Sequence, residues 1–234
     1  MKTQHIGIVA CSAEGAALCY TTVAVEGAAR MGRHDHPEVS LHTHSLATYM
    51  ARIYIDDWKG VGELMLDSAA KLKKMGADFV ICPDNTIHQG LDIVRDQSPL
   101  PWLHIAEELA GEAARKGHGK VGLMGTKYLM EGPVYPPKFK AAGIEHVLPP
   151  LADRARINEI IFDELVYGRF LPESLQFFQQ VITDMKAQGC QAVALSCTEI
   201  PLLVTPENSP LPVLDSTRLL ARAALKRALG QTAA

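Results

Sequence analysis

Two short polar clusters interrupt the 234-residue chain directly after apolar runs. Asp84-Asn85-Thr86, with His88 beyond it, follows Phe79-Val80-Ile81-Cys82, and Ser196-Cys197-Thr198-Glu199 follows Ala192-Val193-Ala194-Leu195. In each copy an amphipathic segment ends in glycine, a strand-like run comes next, and the cluster closes it. The count from Gly76 to Asp84 is eight residues, and so is the count from Gly189 to Cys197. A glycine C-cap before a strand is common to βα units, but equal spacing sets a carboxylate and a thiol at matching points, one in each half. Each cluster also carries a threonine, Thr86 or Thr198. If a pseudo-twofold axis relates the halves, the two strand ends face each other across a cleft. Two proton-transfer groups on opposite sides of one carbon are then the natural chemistry.

Such clusters need strands to carry them. Short apolar runs at His5–Ala10, Glu38–His44, Ala77–Pro83, Lys120–Gly125, His146–Leu148, Gln191–Ser196 and Pro212–Leu214 read as strands. Asp57–Met75, His104–Lys116, Arg154–Tyr167 and Pro172–Gln188 read as helices; Trp58, Val61, Leu64, Met65, Ala69 and Leu72 recur every three or four positions on one face. The alternation predicts an α/β protein of two similar lobes, each a mainly parallel sheet flanked by helices. Ligands in such sheets sit beyond the carboxyl ends of the strands. Ser98-Pro99-Leu100-Pro101-Trp102 and Asn208-Ser209-Pro210-Leu211-Pro212 read as crossing points, which predicts one lobe from residues 1–98 plus 209–234 and another from 99–208.

Composition narrows the function. With 23 basic against 26 acidic side chains and no basic stripe, nucleic acid is not an expected partner. No apolar run approaches the ~18 residues that span a bilayer, and the opening MKTQHIGIVA lacks a signal-peptide core, so the expectation is a cytoplasmic protein. Cys11, Cys19, Cys82, Cys190 and Cys197 are an odd set without CxxC pairs, which argues against a disulfide framework or a zinc ribbon.

The two clusters, with the opening IGIVACSAEGAA, LMGTKYLMEGPVY, ARINEIIFDELVYGRF and PVLDST, resemble the cofactor-independent aspartate/glutamate racemase family over essentially the whole chain. That family carries C-N-T-x-H in its first half and G-C-T-E-I in its second. The matching stretches here are Asp84-Asn85-Thr86-Ile87-His88 and Ser196-Cys197-Thr198-Glu199-Ile200. The resemblance implies a racemase of amino acids, acidic ones foremost, with the site in the cleft between the lobes. It implies neither pyridoxal phosphate nor metal, and a homodimer as the working form. In the family two cysteines flank the substrate α-carbon; one removes the proton and the other returns it from the opposite face.

This chain departs from the pattern at the first cysteine, whose place falls on Asp84. Cys82, two residues earlier, reads as a structural strand residue. Three uses of Asp84 stay open: a base in place of the thiolate, a substrate ligand for the amino group, or the mark of a one-thiol lyase or decarboxylase. A binding module without catalysis is a further class. Cys197 is the expected catalytic thiol.

Asn85, Thr86 and Thr198 are expected to hold substrate carboxylate. Ser12, in the loop between the first strand and a helix, is a candidate anion contact, and Thr126 matches a family position lining the site. Arg169 in VYGRF is the candidate cation for a distal carboxylate, with Arg52 as another. His88 reads as a brace, His34-Asp35-His36 as a solvated loop without a third metal ligand, and Asp215-Ser216-Thr217 as the start of the last helix.

Overall fold

A computed structural model describes residues 3–231 and divides the chain into two compact units. The first comprises Met1–Glu108 and Thr217–Ala234, the second Leu109–Ser216. The first unit contains β1 (Ile6–Ala10), α1 (Ala13–Met31), β2 (Val39–Thr43), α2 (Leu46–Ile53), α3 (Trp58–Lys74), β3 (Phe79–Ile81), α4 (His88–Val94) and β4 (Trp102–Leu103). Helix α5 (Ile105–Arg115) carries the chain across the boundary. The second unit holds β5 (Lys120–Met124), α6 (Lys127–Met130), α7 (Pro136–Ala141), β6 (Glu145–Val147), α8 (Leu151–Asp163), α9 (Pro172–Ala187), β7 (Ala192–Leu195), α10 (Ile200–Leu203) and β8 (Val213–Asp215). The last helix, α11 (Ser216–Ala228), packs Leu220, Ala221 and Ala224 against Ile6, Ile8, Phe79 and Ile81 in the core of the first unit. No helix among the described residues is long and apolar enough to cross a membrane.

Each unit is a four-stranded parallel sheet of the same order, β2-β1-β3-β4 in one and β6-β5-β7-β8 in the other. The central strands β1, β3 and β7 are buried along their whole length, and β5 from Val121 on, as expected when helices cover both faces. In the second unit Ile157, Ile160, Phe178, Val181 and Ile182 close over Met124, Val193 and Leu195.

The internal repeat extends further than the sequence reading shows. Gly76 and Gly189 both take left-handed backbone, φ +94° and +89°. Behind each, the next residue closes the helix, Ala77 N donating to Leu72 O and Cys190 N to Met185 O, both at 3.1 Å. Only glycine takes that backbone without the ~1–2 kcal/mol cost of a crowded Cβ. The two Ser-Pro-Leu-Pro stretches are also built alike. Ser98 and Ser209 donate their hydroxyls to the carbonyls of Leu100 and Leu211, at 2.8 and 2.7 Å. The following Pro101 and Pro212 carbonyls accept from Val80 N and Val193 N at 2.9 Å. These segments, read from sequence as crossing points, thus deliver β4 and β8 to the edges of their own sheets.

Several boundaries differ from expectation. β4 escaped notice because it has two residues, follows a proline and shows no period. α2 is absent from the helices read from sequence, and it carries Arg52, which pairs with Asp57 at 2.5 Å. The run Ala77–Pro83 is a strand only over Phe79–Ile81, which leaves Cys82 and Pro83 as a bridge to Asp84. α8 begins at Leu151 and ends at Asp163, and a 3-10 turn follows over Leu165–Tyr167.

The helix after the first cluster, α4, sits unusually close to α3. A Cβ on Gly90 of α4 would fall 2.7 Å from both Gly62 N and Trp58 O of α3. Gly90→Ala is therefore expected to lower unfolding free energy by about 1–3 kcal/mol through overpacking. Gly111→Ala in α5, where nothing lies within 4 Å, should be neutral or slightly stabilising. Urea denaturation of the two variants checks the contrast in sign.

Candidate active site

Asp84 lies three residues past β3, half-buried, and its carboxylate is held by backbone from the loop that leaves β1. Cys11 N donates to Oδ2 at 3.2 Å and Ser12 N to Oδ1 at 3.0 Å. Ser12 is also the N-cap of α1, its hydroxyl accepting from Gly15 N at 3.3 Å. The carboxylate thus sits at the N-terminus of a 19-residue helix, where donors and dipole both favour negative charge. Asn85 is buried and Thr86 partly so.

Behind this turn, His88 Nδ1 donates to the Asp84 carbonyl at 2.9 Å, which leaves Nε2 to accept a long contact from Ile105 N at 3.5 Å. The ring is fully buried, and burial, with the nearby His104 next, pushes its pKa well below the usual 6.5. The Cys82 thiol beneath is fully buried too; burial first and the Asp84 carboxylate second push it up.

The second cluster follows β7 in the same way. Ser196 N donates to Met124 O at 2.8 Å, and the loop after β5 packs so near that a Cβ on Gly125 would come within 2.8 Å of Ser196 O. Cys197 is buried, and its thiol donates to Glu199 Oε2 at 2.8 Å. Thr198 and Glu199 are buried as well. Thr126 caps α6, its Oγ1 accepting from Leu129 N at 3.3 Å. Ser12 and Thr126 therefore occupy comparable places, each a hydroxyl at the helix start after the first strand of its sheet.

The first unit brings Ser12, Asp84, Asn85 and Thr86 to one sheet end, and the second brings Thr126, Cys197 and Thr198 to another. Arg169 is exposed on the turn after α8, its backbone N donating to Glu164 O. His34 and Asp35 are exposed, and among the described residues no three His, Cys, Asp or Glu side chains gather as a metal site. Ser216 begins α11 and donates its hydroxyl to Leu195 O at 3.1 Å.

Residues 6–224 match the family model described as Asp/Glu/Hydantoin racemase. The chain belongs to that family. Among curated proteins it is 25% identical to the broad specificity amino-acid racemase RacX of Bacillus subtilis over 192 residues, 80% of each protein. The crystal structure of a candidate Asp/Glu racemase from Yersinia pestis superposes with a TM-score of 0.89 at 31% identity, covering 97% of this chain and 99% of that one. An aspartate racemase homologue from Pyrococcus horikoshii follows at 0.83 and 25%, covering 98% and 100%. Racemases are isomerases, which sets the reaction class.

Within this racemase, Glu199 is the residue that sequence reasoning quoted but gave no role. The signal was present: an acid two residues after a cysteine, inside a turn past a strand. What spacing could not show is that its carboxylate turns back onto the thiol.

His88 ties the first cluster to pH. The folded racemase keeps the ring uncharged, whereas the unfolded chain titrates near 6.5. Below that pH the unfolded state binds the extra proton, so stability from His88 is full above about 6.5 and is withdrawn as pH falls. The urea midpoint should drop between about pH 7.5 and about pH 5.5, with a shallower slope in His88→Gln.

Proposed function

We propose that the protein is an amino-acid racemase acting on acidic amino acids, aspartate and glutamate, by proton removal and return at the α-carbon through Asp84 and Cys197. One observation carries this reading: a carboxylate and a thiol stand at matched ends of two identically ordered sheets, each eight residues beyond a glycine of the same build. Ligands in such sheets bind at those ends.

In this reading both groups act on the α-carbon of one substrate. Asp84 takes the α-proton, and the Cys197 thiol gives its own to the opposite face. An α-proton is very weakly acidic, so the planar enediolate-like intermediate needs preorganised donors. Thr86, Thr198, Asn85 and Ser12 supply amide and hydroxyl hydrogens for the α-carboxylate, Thr126 lines the site, and Arg169 meets the distal carboxylate. The same reading takes the working form as a cytoplasmic homodimer without pyridoxal phosphate or metal.

The test is incubation of each antipode of aspartate and glutamate, then of the other amino acids, in D2O, following the α-proton by NMR together with chirality. Exchange with loss of chirality supports racemisation. Exchange with retention would point to one-base chemistry, and binding without exchange to a module that merely holds the amino acid. Light scattering reports the dimer.

A further inference from the structure

We propose that His42 and His44 form a binding site for a divalent first-row ion that favours imidazole, zinc foremost, at the edge of the first unit's sheet. The site lies outside the clusters that carry the proton chemistry, takes no part in that chemistry and does not rest on the racemase reading.

β2 is the edge strand of its sheet; His42 lies in it and His44 directly follows its end. Two residues apart on extended chain, the side chains leave the same face. Each ring meets an oxygen of α3. His42 Nδ1 is 2.9 Å from Ser68 Oγ. His44 Nε2 is 2.8 Å from Asp67 Oδ2, a close ionic contact rather than an aligned hydrogen bond. Among the described residues, the other nitrogens, His42 Nε2 and His44 Nδ1, make no hydrogen bond. Metal-ligating histidines have this build: one nitrogen on the ion, the other against an oxygen that fixes the ring and its tautomer.

The spacing of the rings fits one shared ion. Their centroids stand 5.0 Å apart with the planes at 78°. A Zn–N bond is ~2.1 Å and the ring centre lies ~1.1 Å behind the nitrogen, so two imidazoles on a tetrahedral ion have centres ~5 Å apart. Among the described residues no group of three His, Cys, Asp or Glu gathers as a metal site, so water completes the shell.

The charges nearby leave the work to the imidazoles. Lys71 Nζ is 2.5 Å from the same Asp67 oxygen, so cation and carboxylate offset each other. Burial first and Lys71 second push His42 below its usual 6.5, which keeps that ring neutral, with a lone pair to give, near pH 7. His44 also stands edge-on to Tyr49 of α2, at 6.4 Å between ring centroids. A bound ion would therefore brace the end of β2 against both α2 and α3.

The test is zinc competition with a chromophoric chelator, using the full-length reduced protein at about pH 7.5, where imidazole is neutral. The wild type should hold zinc, and magnesium should not displace it, because magnesium prefers oxygen ligands. Ser68→Ala, which removes only an outer contact, should weaken binding about tenfold. His42→Ala and His44→Ala should each weaken it further. Zinc should raise the melting midpoint of the wild type and leave the double variant's unchanged. Cobalt in place of zinc should give d–d bands of nitrogen and oxygen ligation, with no thiolate charge-transfer band. The site would be overturned by a wild type that holds no zinc, by undiminished zinc affinity in the double variant, or by thiolate bands in the wild-type cobalt spectrum. The spectrum decides the matter on the wild type alone, even if a variant folds poorly.

Discussion

Cys197→Ser is expected to lower racemisation by about 10³-fold, within the ~10²–10⁴ that a positioned acid or base contributes. The hydroxyl is nearly isosteric but far less acidic than a thiol, so it neither ionises to accept a proton nor gives one up readily. Its contact with the Glu199 carboxylate, now at 2.8 Å from sulfur, can be kept by the hydroxyl. Folding should therefore be almost unchanged, and a thermal melt alongside the kinetics separates lost chemistry from lost structure. If Cys197→Ser kept full activity, the proposed mechanism would be wrong.

Asp84→Asn carries the second large effect and has a different signature. Asparagine cannot accept a proton at neutral pH, so racemisation should fall by about 10²–10⁴-fold. The thiol remains, however. The antipode presenting its hydrogen to Cys197 should still exchange that hydrogen with D2O, with its configuration retained. Loss of inversion with survival of one-sided exchange is what a two-base site predicts. A site that used Asp84 only to hold the amino group, with Cys197 doing the proton transfer, would instead lose affinity, with exchange falling alongside. The substitution also replaces one acceptor oxygen by an NH2 group facing a backbone N–H of Cys11 or Ser12. That costs about 1–3 kcal/mol of stability, so the assay belongs below the variant's melting range.

Cys82 shows why position outweighs residue type here. It is the cysteine nearest to the family's first motif, yet it is fully buried under the turn, and burial holds its thiol protonated. Asp84, two residues on, is the group that reaches the strand end with both oxygens engaged by backbone. Two residues separate a thiol in the core from a carboxylate at the strand end, because β3 ends at Ile81 and the chain turns there.

Much of this molecule was legible locally. Gly76 and Gly189 announced two helix ends, the apolar runs after them announced two buried strands, and equal spacing marked Asp84 and Cys197 as counterparts. Each of those signals spans about a dozen residues, the range over which capping, period and spacing act. The two-residue strand β4 was not legible, since nothing in Trp102–Leu103 distinguishes a strand from a loop until β3 is beside it. Nor was the state of Asp84, whose partners Cys11 and Ser12 lie 73 and 72 residues away in sequence. Sequence by itself determined which residue types stand at the two strand ends and how they are spaced. Only the tertiary structure decided that one is a carboxylate gripped by a helix start and the other a thiol turned onto a buried acid. The bonds to Asp84 join distant segments and form when the sheet assembles, so no local pattern encodes them; the Cys197–Glu199 contact is short-range, but the burial that surrounds it is not.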